Sequence, residues 1–526
     1  MIRLLADRTA PALSGLIGGR SFMAATVLLV AVVTLPLLAV PVPPLTDFIN
    51  HLARMRIMAA LPDNPILAHY YQVHWAVIPN LIMDVVVPPL ARHLDLLASG
   101  QVFLILMVVI LATGPMAIHR ALWGRLSPWP LLAFPLVYNG IFLYGLVNYL
   151  LGVGIALWGV AAWIHWRDRS LVRRAVVSTL FVLVLFLCHL FAVGLYGMTL
   201  LSFEIWRLSR QPRTYSWREA AVFAVPFLPV LPLILESPTL GLSTVNVWES
   251  QGKLEGIYLA FQLYRDVFDM VFAGILAGAA LWLARRDLLR LHPAGWVLLA
   301  VGSLVFLAMP RQLFGSWIAD QRLPVALMFL TIGFFAPDLR GRLSRGAFYA
   351  FVAGLTLARA AEVQANWLDL ATVNHDMRAA AAVMPRGALV LVAHADDPQG
   401  GPVLEQALSH APSWAVIDRD ALVSTIFAVP GKQVLAIRRD YAGLVDRDDG
   451  DPPSVSQLLA SEDGPIPGNP RFWDKWPDRY EYVFILYTQW GAANPDPDRL
   501  DHVFEGRGFQ LYRIKAEAEN GESELE

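Results

Sequence analysis

This sequence is short of cysteine, of lysine and of charge. Of its 526 residues only Cys188 is a cysteine, so no intrachain disulfide and no cysteine-based metal site can form. No G-x-x-x-x-G-K-[ST] loop and no H-E-x-x-H pair occurs, which leaves no sequence sign of ATP-driven chemistry or of zinc hydrolysis. Charged residues make up 16% of the chain, against roughly 25% in a soluble domain. With a mean hydropathy of +0.50, a purely soluble enzyme is excluded. Lysine occurs four times and arginine 37 times. The arginines sit in short clusters between apolar runs, a pattern that speaks of membrane sidedness and not of nucleic acid.

The formal net charge of −2 hides two unlike parts. Residues 375–526 carry 25 Asp and Glu against 14 Lys and Arg, a net −11. That leaves 18 acids and 27 bases, a net +9, for residues 1–374.

What the chain has in quantity is long apolar sequence. A spanning helix needs roughly 20 mostly apolar residues. The run 21–41 qualifies, and it lies too far from the start and is too long for a cleaved signal peptide. Further runs cover 100–118, 128–165, 174–206, 219–236, 266–284, 293–309, 322–337 and 346–364. Two are too long for one helix. The run 128–165 has a polar, Gly-bearing middle from Tyr138, Asn139 and Gly140 to Asn148 and Tyr149, and 174–206 has His189 near its centre. Each is expected to fold as a hairpin of two helices, because every arginine cluster then falls on one side of the membrane. Halves of about 16 residues reach only ~24 Å at 1.5 Å per residue, so they must be short or tilted.

The expected fold class is an α-helical polytopic membrane protein of about eleven transmembrane helices with a C-terminal extracytoplasmic α/β domain. The expected location is a bacterial cytoplasmic membrane, N-terminus in the cytoplasm and C-terminal domain in the periplasm. Residues 1–374 form the transmembrane part, with a first external loop at 42–99; residues 375–515 form the α/β domain; 516–526 form a disordered tail. Within the α/β domain, 387–393, 433–437, 482–487 and 509–513 read as strands, 403–410 and 500–505 as helix fragments, and 446–470 as a loop.

The first external loop carries the most chemistry. Asp47, Asn50, His51 and Arg54 fall at i, i+3, i+4 and i+7 on one helical face, with Phe48, Leu52 and Met55 on another, as in an amphipathic helix at a membrane surface. Asp47, directly after the first span, is placed to deprotonate an acceptor hydroxyl, with His51 one turn later to orient it or bind phosphate. The competing reading is that Asp47 only caps the helix. Asp84 is a second carboxylate in the same loop. A further group, Arg311, Asp320 and Arg322, sits at the outer ends of two spans, where arginine forks suit a phosphate; the alternative pairs Arg322 with Asp320. His189 is placed to meet the same phosphate. Asn139 and Asn148 are candidate sugar ligands or, equally, caps.

Taken together, the many spans, a first external loop opening on Asp47 and an extracytoplasmic α/β domain resemble the GT-C superfamily of integral-membrane glycosyltransferases. The resemblance covers the whole layout, whereas its motif is a single residue: Asp47 is followed by Phe48 and not by the second acid many members carry. It implies transfer of a sugar from a polyprenyl-phosphate donor to a glycan, lipid or protein acceptor on the outer face. Asp47 and His51 would then be catalytic, Arg311, Arg322 and His189 would bind the donor phosphate, and Asp84, Asn139, Asn148 and Asp320 the substrate. No cofactor is required; a divalent metal, which some members of that superfamily use, is left open but unsupported, since a lone Asp47 makes a poor site; no nucleic-acid partner is expected. The alternative is a transporter or flippase for a lipid-linked or polysaccharide intermediate, which would place ionisable groups nearer the bilayer midplane.

Overall fold

A computed structural model describes residues 10–167, 169–210, 216–244, 247–339, 341–447, 452–462 and 471–515. The expected tail at 516–526 lies outside them, as do Arg3, Arg8, Arg213 and Arg340. The chain is a mostly helical, polytopic membrane protein. Among the described residues seven helical stretches are long and apolar enough to cross a bilayer: Gly19–Ala39, Leu96–Trp123, Val147–His165, Leu171–Cys188, Trp217–Glu236, Asp266–Arg285 and Leu343–Ala382. Two shorter apolar helices are Pro293–Ala308 and Arg322–Phe334.

The chain divides into two compact units, and not at residue 374. The first holds residues 1–39, 78–80 and 104–365; the second holds 40–77, 81–103 and 366–526, so most of the stretch 42–99 folds with the C-terminal region.

In the first unit, Val147–His165 is the most enclosed of the candidate spans. Its glycines explain why. A Cβ on Gly154 would stand 2.8 Å from the Leu111 backbone N, and one on Gly152 2.7 Å from the Ala192 Cβ, so neighbouring helices close directly onto its backbone. Other helices present apolar side chains outward, among them Val27, Leu28 and Leu35, then Val176 and Leu180, then Val267 and Val271. Lipid tails account for such faces.

The two hairpin expectations part company here. The run 174–206 is broken at His189 into Leu171–Cys188 and Leu190–Arg210, helices of 18 and 21 residues and therefore longer than expected. The His189 backbone is extended, its N–H donates to Leu185 O at 2.8 Å, and its Nδ1 accepts the Phe191 N–H at 3.1 Å. It thus ends one helix and starts the next. By contrast, the first half of 128–165 is no α-helix. It is a 3-10 segment, Trp129–Leu136, and a single turn, Gly140–Leu143. Pro135, inside the segment, removes an amide hydrogen that an α-helix would need, whereas Pro128 and Pro130 fall in the first turn, where none is needed.

The second unit is built on a mixed five-stranded sheet in the order Leu422–Val423, Leu389–His394, Tyr482–Leu486, Phe509–Ile514, Leu500–Gly506. The first three strands are parallel and the last two antiparallel. Val390, Val392, Val483, Phe484 and Leu511 are buried in it. Two expectations are corrected, and one expected strand joins a different sheet. Residues 500–506 form a strand, because Gly506, Arg507 and Gly508 (φ +78°) turn the chain into a hairpin with 509–514. Leu435–Ile437 leaves the main sheet and pairs antiparallel with Tyr71–Val73 of the first loop. The stretch 446–470 contains a helix, Val455–Leu459, started by a reciprocal cap between Ser454 and Gln457.

The helix Phe48–Ala60 is the main correction. Its polar face is not laid on a membrane surface: Asn50 and Arg54 are fully buried and His51 is 6% exposed. It packs against Ala411–Ser413, Trp414–Arg419 and Ile82–Leu90. Buried polar groups need partners, and those partners build the site described next.

Candidate functional site

The second unit gathers Asp47, Asn50, His51, Arg54 and Asp84 from the first loop with His410, Thr425 and Phe427 from the C-terminal region. Asp47 stands at the N-terminal boundary of Phe48–Ala60, but its side chain makes no cap hydrogen bond. Its Oδ1 faces His410 Nε2 at 3.6 Å instead. Both side chains keep some exposure, 24% for Asp47 and 19% for His410, amid buried neighbours. The capping reading of Asp47 is therefore set aside.

Asn50 ties this pair to the fold. Its Oδ1 accepts the Phe427 N–H at 2.9 Å, and its Nδ2 donates to Thr425 O at 2.8 Å and contacts His410 Nδ1 at 3.1 Å. The Phe427 ring meets His410 at 4.8 Å and His51 at 5.2 Å, edge to face in both cases. His51 is thus a wall of the cluster, its Nδ1 buried with no hydrogen-bond partner among the described residues. Burial, then the Arg54 guanidinium and His410, push its pKa well below the usual imidazole range, so it stays neutral.

Asp84 lies elsewhere in chemistry, if not in sequence. Arg54 donates from Nε to Asp84 Oδ1 at 2.9 Å and from Nη2 to Oδ2 at 3.0 Å, with both side chains almost fully buried. Both carboxylate oxygens are occupied by that fork, which makes Asp84 a structural counter-ion and a poor sugar ligand.

The first unit holds the remaining candidates. Arg311 Nη1 lies 3.0 Å from both Glu249 and Glu255, and its guanidinium stacks on Trp317 at 5.0 Å. Two carboxylates already neutralise it, so a phosphate would have to displace them. Asp320 is fully buried and paired with Lys253 at 2.7 Å, not with Arg322. Gly252 and Gly256 let the helix Gln251–Leu259 approach closely enough for this, since a Cβ on Gly252 would meet Asp320 Oδ2 at 3.2 Å.

Arg322 is different: the group beside its Nη1 is the ring of His189, Nε2 at 3.0 Å, while Nη2 donates to Trp317 O at 2.9 Å. The rings of Phe191 and Tyr149 flank the guanidinium at 5.6 and 5.9 Å, and the Tyr149 hydroxyl donates to Arg322 O. A neutral imidazole carries one hydrogen and one lone pair. Yet both His189 nitrogens face N–H donors, Phe191 N and Arg322 Nη1, so one of the two contacts sets donor against donor. An anionic oxygen placed at the Arg322 side would relieve it.

The two asparagines separate. Asn139 is fully buried; its Oδ1 accepts the Phe142 N–H and its Nδ2 donates to Leu136 O and Val137 O, so it serves the turn. Asn148 donates to the main-chain and side-chain oxygens of Asn80 at 3.1 and 2.9 Å, holding Asn80 in a left-handed conformation (φ +72°). Neither is arranged as a sugar ligand.

Among the described residues no group of three or more His, Cys, Asp or Glu is placed to hold a metal ion. Sequence reasoning missed His410, because 360 positions separate it from Asn50 and it follows the helix Gly401–Leu408 with no motif around it. No known family model matches this chain, and no curated protein matches it.

Proposed function

We propose that this chain is a membrane glycosyltransferase that moves a sugar from a polyprenyl-phosphate donor to an acceptor hydroxyl, on the outer face of a bacterial cytoplasmic membrane. The observation that carries the reading is Asp47: a carboxylate released from helix capping, partly open, and turned toward His410 Nε2. In an inverting displacement the acceptor oxygen bonds to the anomeric carbon, the carbon–phosphate oxygen bond breaks, and Asp47 takes the acceptor proton. Within the first unit, Arg322 beside His189 is a group suited to a phosphate oxygen. Arg311, Asp320 and Asp84 are each held in ion pairs. The donor arrives activated, so the reading calls for no nucleotide.

The test is transfer from defined polyprenyl-phosphate sugars by purified protein in lipid. The Asp47→Asn variant is expected to lose about 10²- to 10⁴-fold in kcat. Full activity in that variant removes Asp47 as the base. Failure of the native protein with every donor, together with transbilayer movement of the donor lipid, turns the reading to a flippase.

A further inference from the structure

The reading of Asp47 leaves unexplained why a fully buried asparagine and a histidine from distant sequence meet beside it. Asn50 is locked from one side. Its Oδ1 accepts from a main-chain N–H, that of Phe427, which can only donate, so its amide hydrogens face Thr425 O and His410 Nδ1. His410 Nδ1 is then an acceptor, and the one hydrogen of the neutral ring sits on Nε2, pointing at Asp47. Protonating Nδ1 would set it against the Asn50 amide. The ring is held edge-on by Phe427, and its own main-chain oxygen accepts the Ser413 N–H at 3.0 Å.

Resting on the glycosyl-transfer reading, we propose that His410 is a positioning residue for Asp47, with Asn50 as the group that fixes its tautomer. The Nε2–H donates toward Oδ1 and orients the carboxylate that takes the acceptor proton; His410 itself neither gains nor loses a proton in the step. The 3.6 Å separation exceeds a hydrogen bond, and such contacts commonly tighten when substrate binds. Asp47, Asn50 and the Phe427 ring face His410, with His51 and Arg54 beyond them.

The experiment compares the full-length native protein with four variants in the transfer assay, each checked for an unchanged melting temperature. His410→Ala is expected to lower kcat about 10- to 100-fold, as removal of orienting groups does, with KM within about twofold. His410→Gln, which returns an N–H near the Nε2 position, is expected to recover most of that loss, and His410→Asn, whose amide reaches only the Nδ1 position, little of it. Asn50→Asp removes the donor to Nδ1 and is expected to match His410→Ala. Equal impairment by Ala, Gln and Asn at position 410 reduces His410 to packing and overturns the proposal. An unchanged kcat in His410→Ala while Asp47→Asn is inactive overturns it alone, whereas full activity of Asp47→Asn takes down the glycosyl-transfer reading first and this proposal with it. Independently of activity, ¹⁵N NMR of the histidine rings, with the His410 signal assigned by its loss in His410→Gln, is expected to report Nε2–H at neutral pH; the Nδ1–H form overturns the proposal.

Discussion

The fork between Arg54 and Asp84 offers the sharpest test of how the second unit is held together. Replacing Arg54 with Met keeps an unbranched apolar stem and removes the charged fork, leaving Asp84 buried without a cation. Both side chains are within 2% of full burial and share two hydrogen bonds of 2.9 and 3.0 Å. Breaking such a pair from one side costs about 3–5 kcal/mol. The loss should depend on pH. Burial already pushes the Asp84 carboxyl up, and the guanidinium is what pulls it down. Without Arg54 its folded pKa rises further above the unfolded value of about 3.9, so the protonated, folded form is favoured below that value and stability is lost as pH rises through the folded pKa. Arg54→Met should therefore be less destabilised at pH 5 than at pH 7.5. Arg54 Nη1 has no hydrogen-bond partner among the described residues, so the pair is not perfectly satisfied, and Arg54→Met with Asp84→Leu should recover most of the loss. Hydrogen exchange of the strand Leu389–His394 reads the stability of this unit directly. A destabilisation below about 1 kcal/mol, or one equal at both pH values, would refute the assignment of the pair as a buried structural bond.

Three further outcomes follow from other parts of the chain. The folded pKa of His51 is depressed by burial, Arg54 and His410, so its contribution is complete above the unfolded value of about 6.5 and is lost as pH falls below it, by about 1.4 kcal/mol per pH unit; exchange protection in the second unit should fall accordingly, and less steeply in His51→Phe. Gly154→Leu should disrupt the close contact with Leu111 and destabilise the first unit by at least about 1–3 kcal/mol, seen as a lower melting temperature; an unchanged value would contradict the packing. Arg322→Gln should raise KM for a polyprenyl-phosphate sugar at least tenfold while Arg311→Gln changes it little, because Arg311 is already held by Glu249 and Glu255; the reverse order in donor titrations would reassign the phosphate group.

Local signals in the sequence carried well where the structure is local. The break at His189 was legible because a histidine interrupts an otherwise apolar run, and the strands at 389–394, 482–486 and 509–514 because their residues are continuously apolar. Proline misled at 128–143, where apolar character was read ahead of the missing amide hydrogen of Pro135. The strand Leu500–Gly506 looked helical because Asp501, His502 and Glu505 dilute its alternation, and its partner strand, not its own composition, fixes it. In the candidate site, Asp47 was legible from its position after a span. The burial of Asn50, His51 and Arg54 was not, since the same polar stripe fits a membrane surface and a polar core equally well. What distinguishes the two is His410, Thr425 and Phe427, contributed by sequence far away.

The central claim is that Asp47 takes a proton while a polyprenyl phosphate departs. Its most direct test is the rate at which polyprenyl phosphate is released from a defined donor in the presence of acceptor, measured for the native protein and for Asp47→Asn at saturating donor. The account predicts acceptor-dependent release by the native protein and a loss of at least about 100-fold in the variant, with donor binding retained. Equal release by both proteins would contradict it.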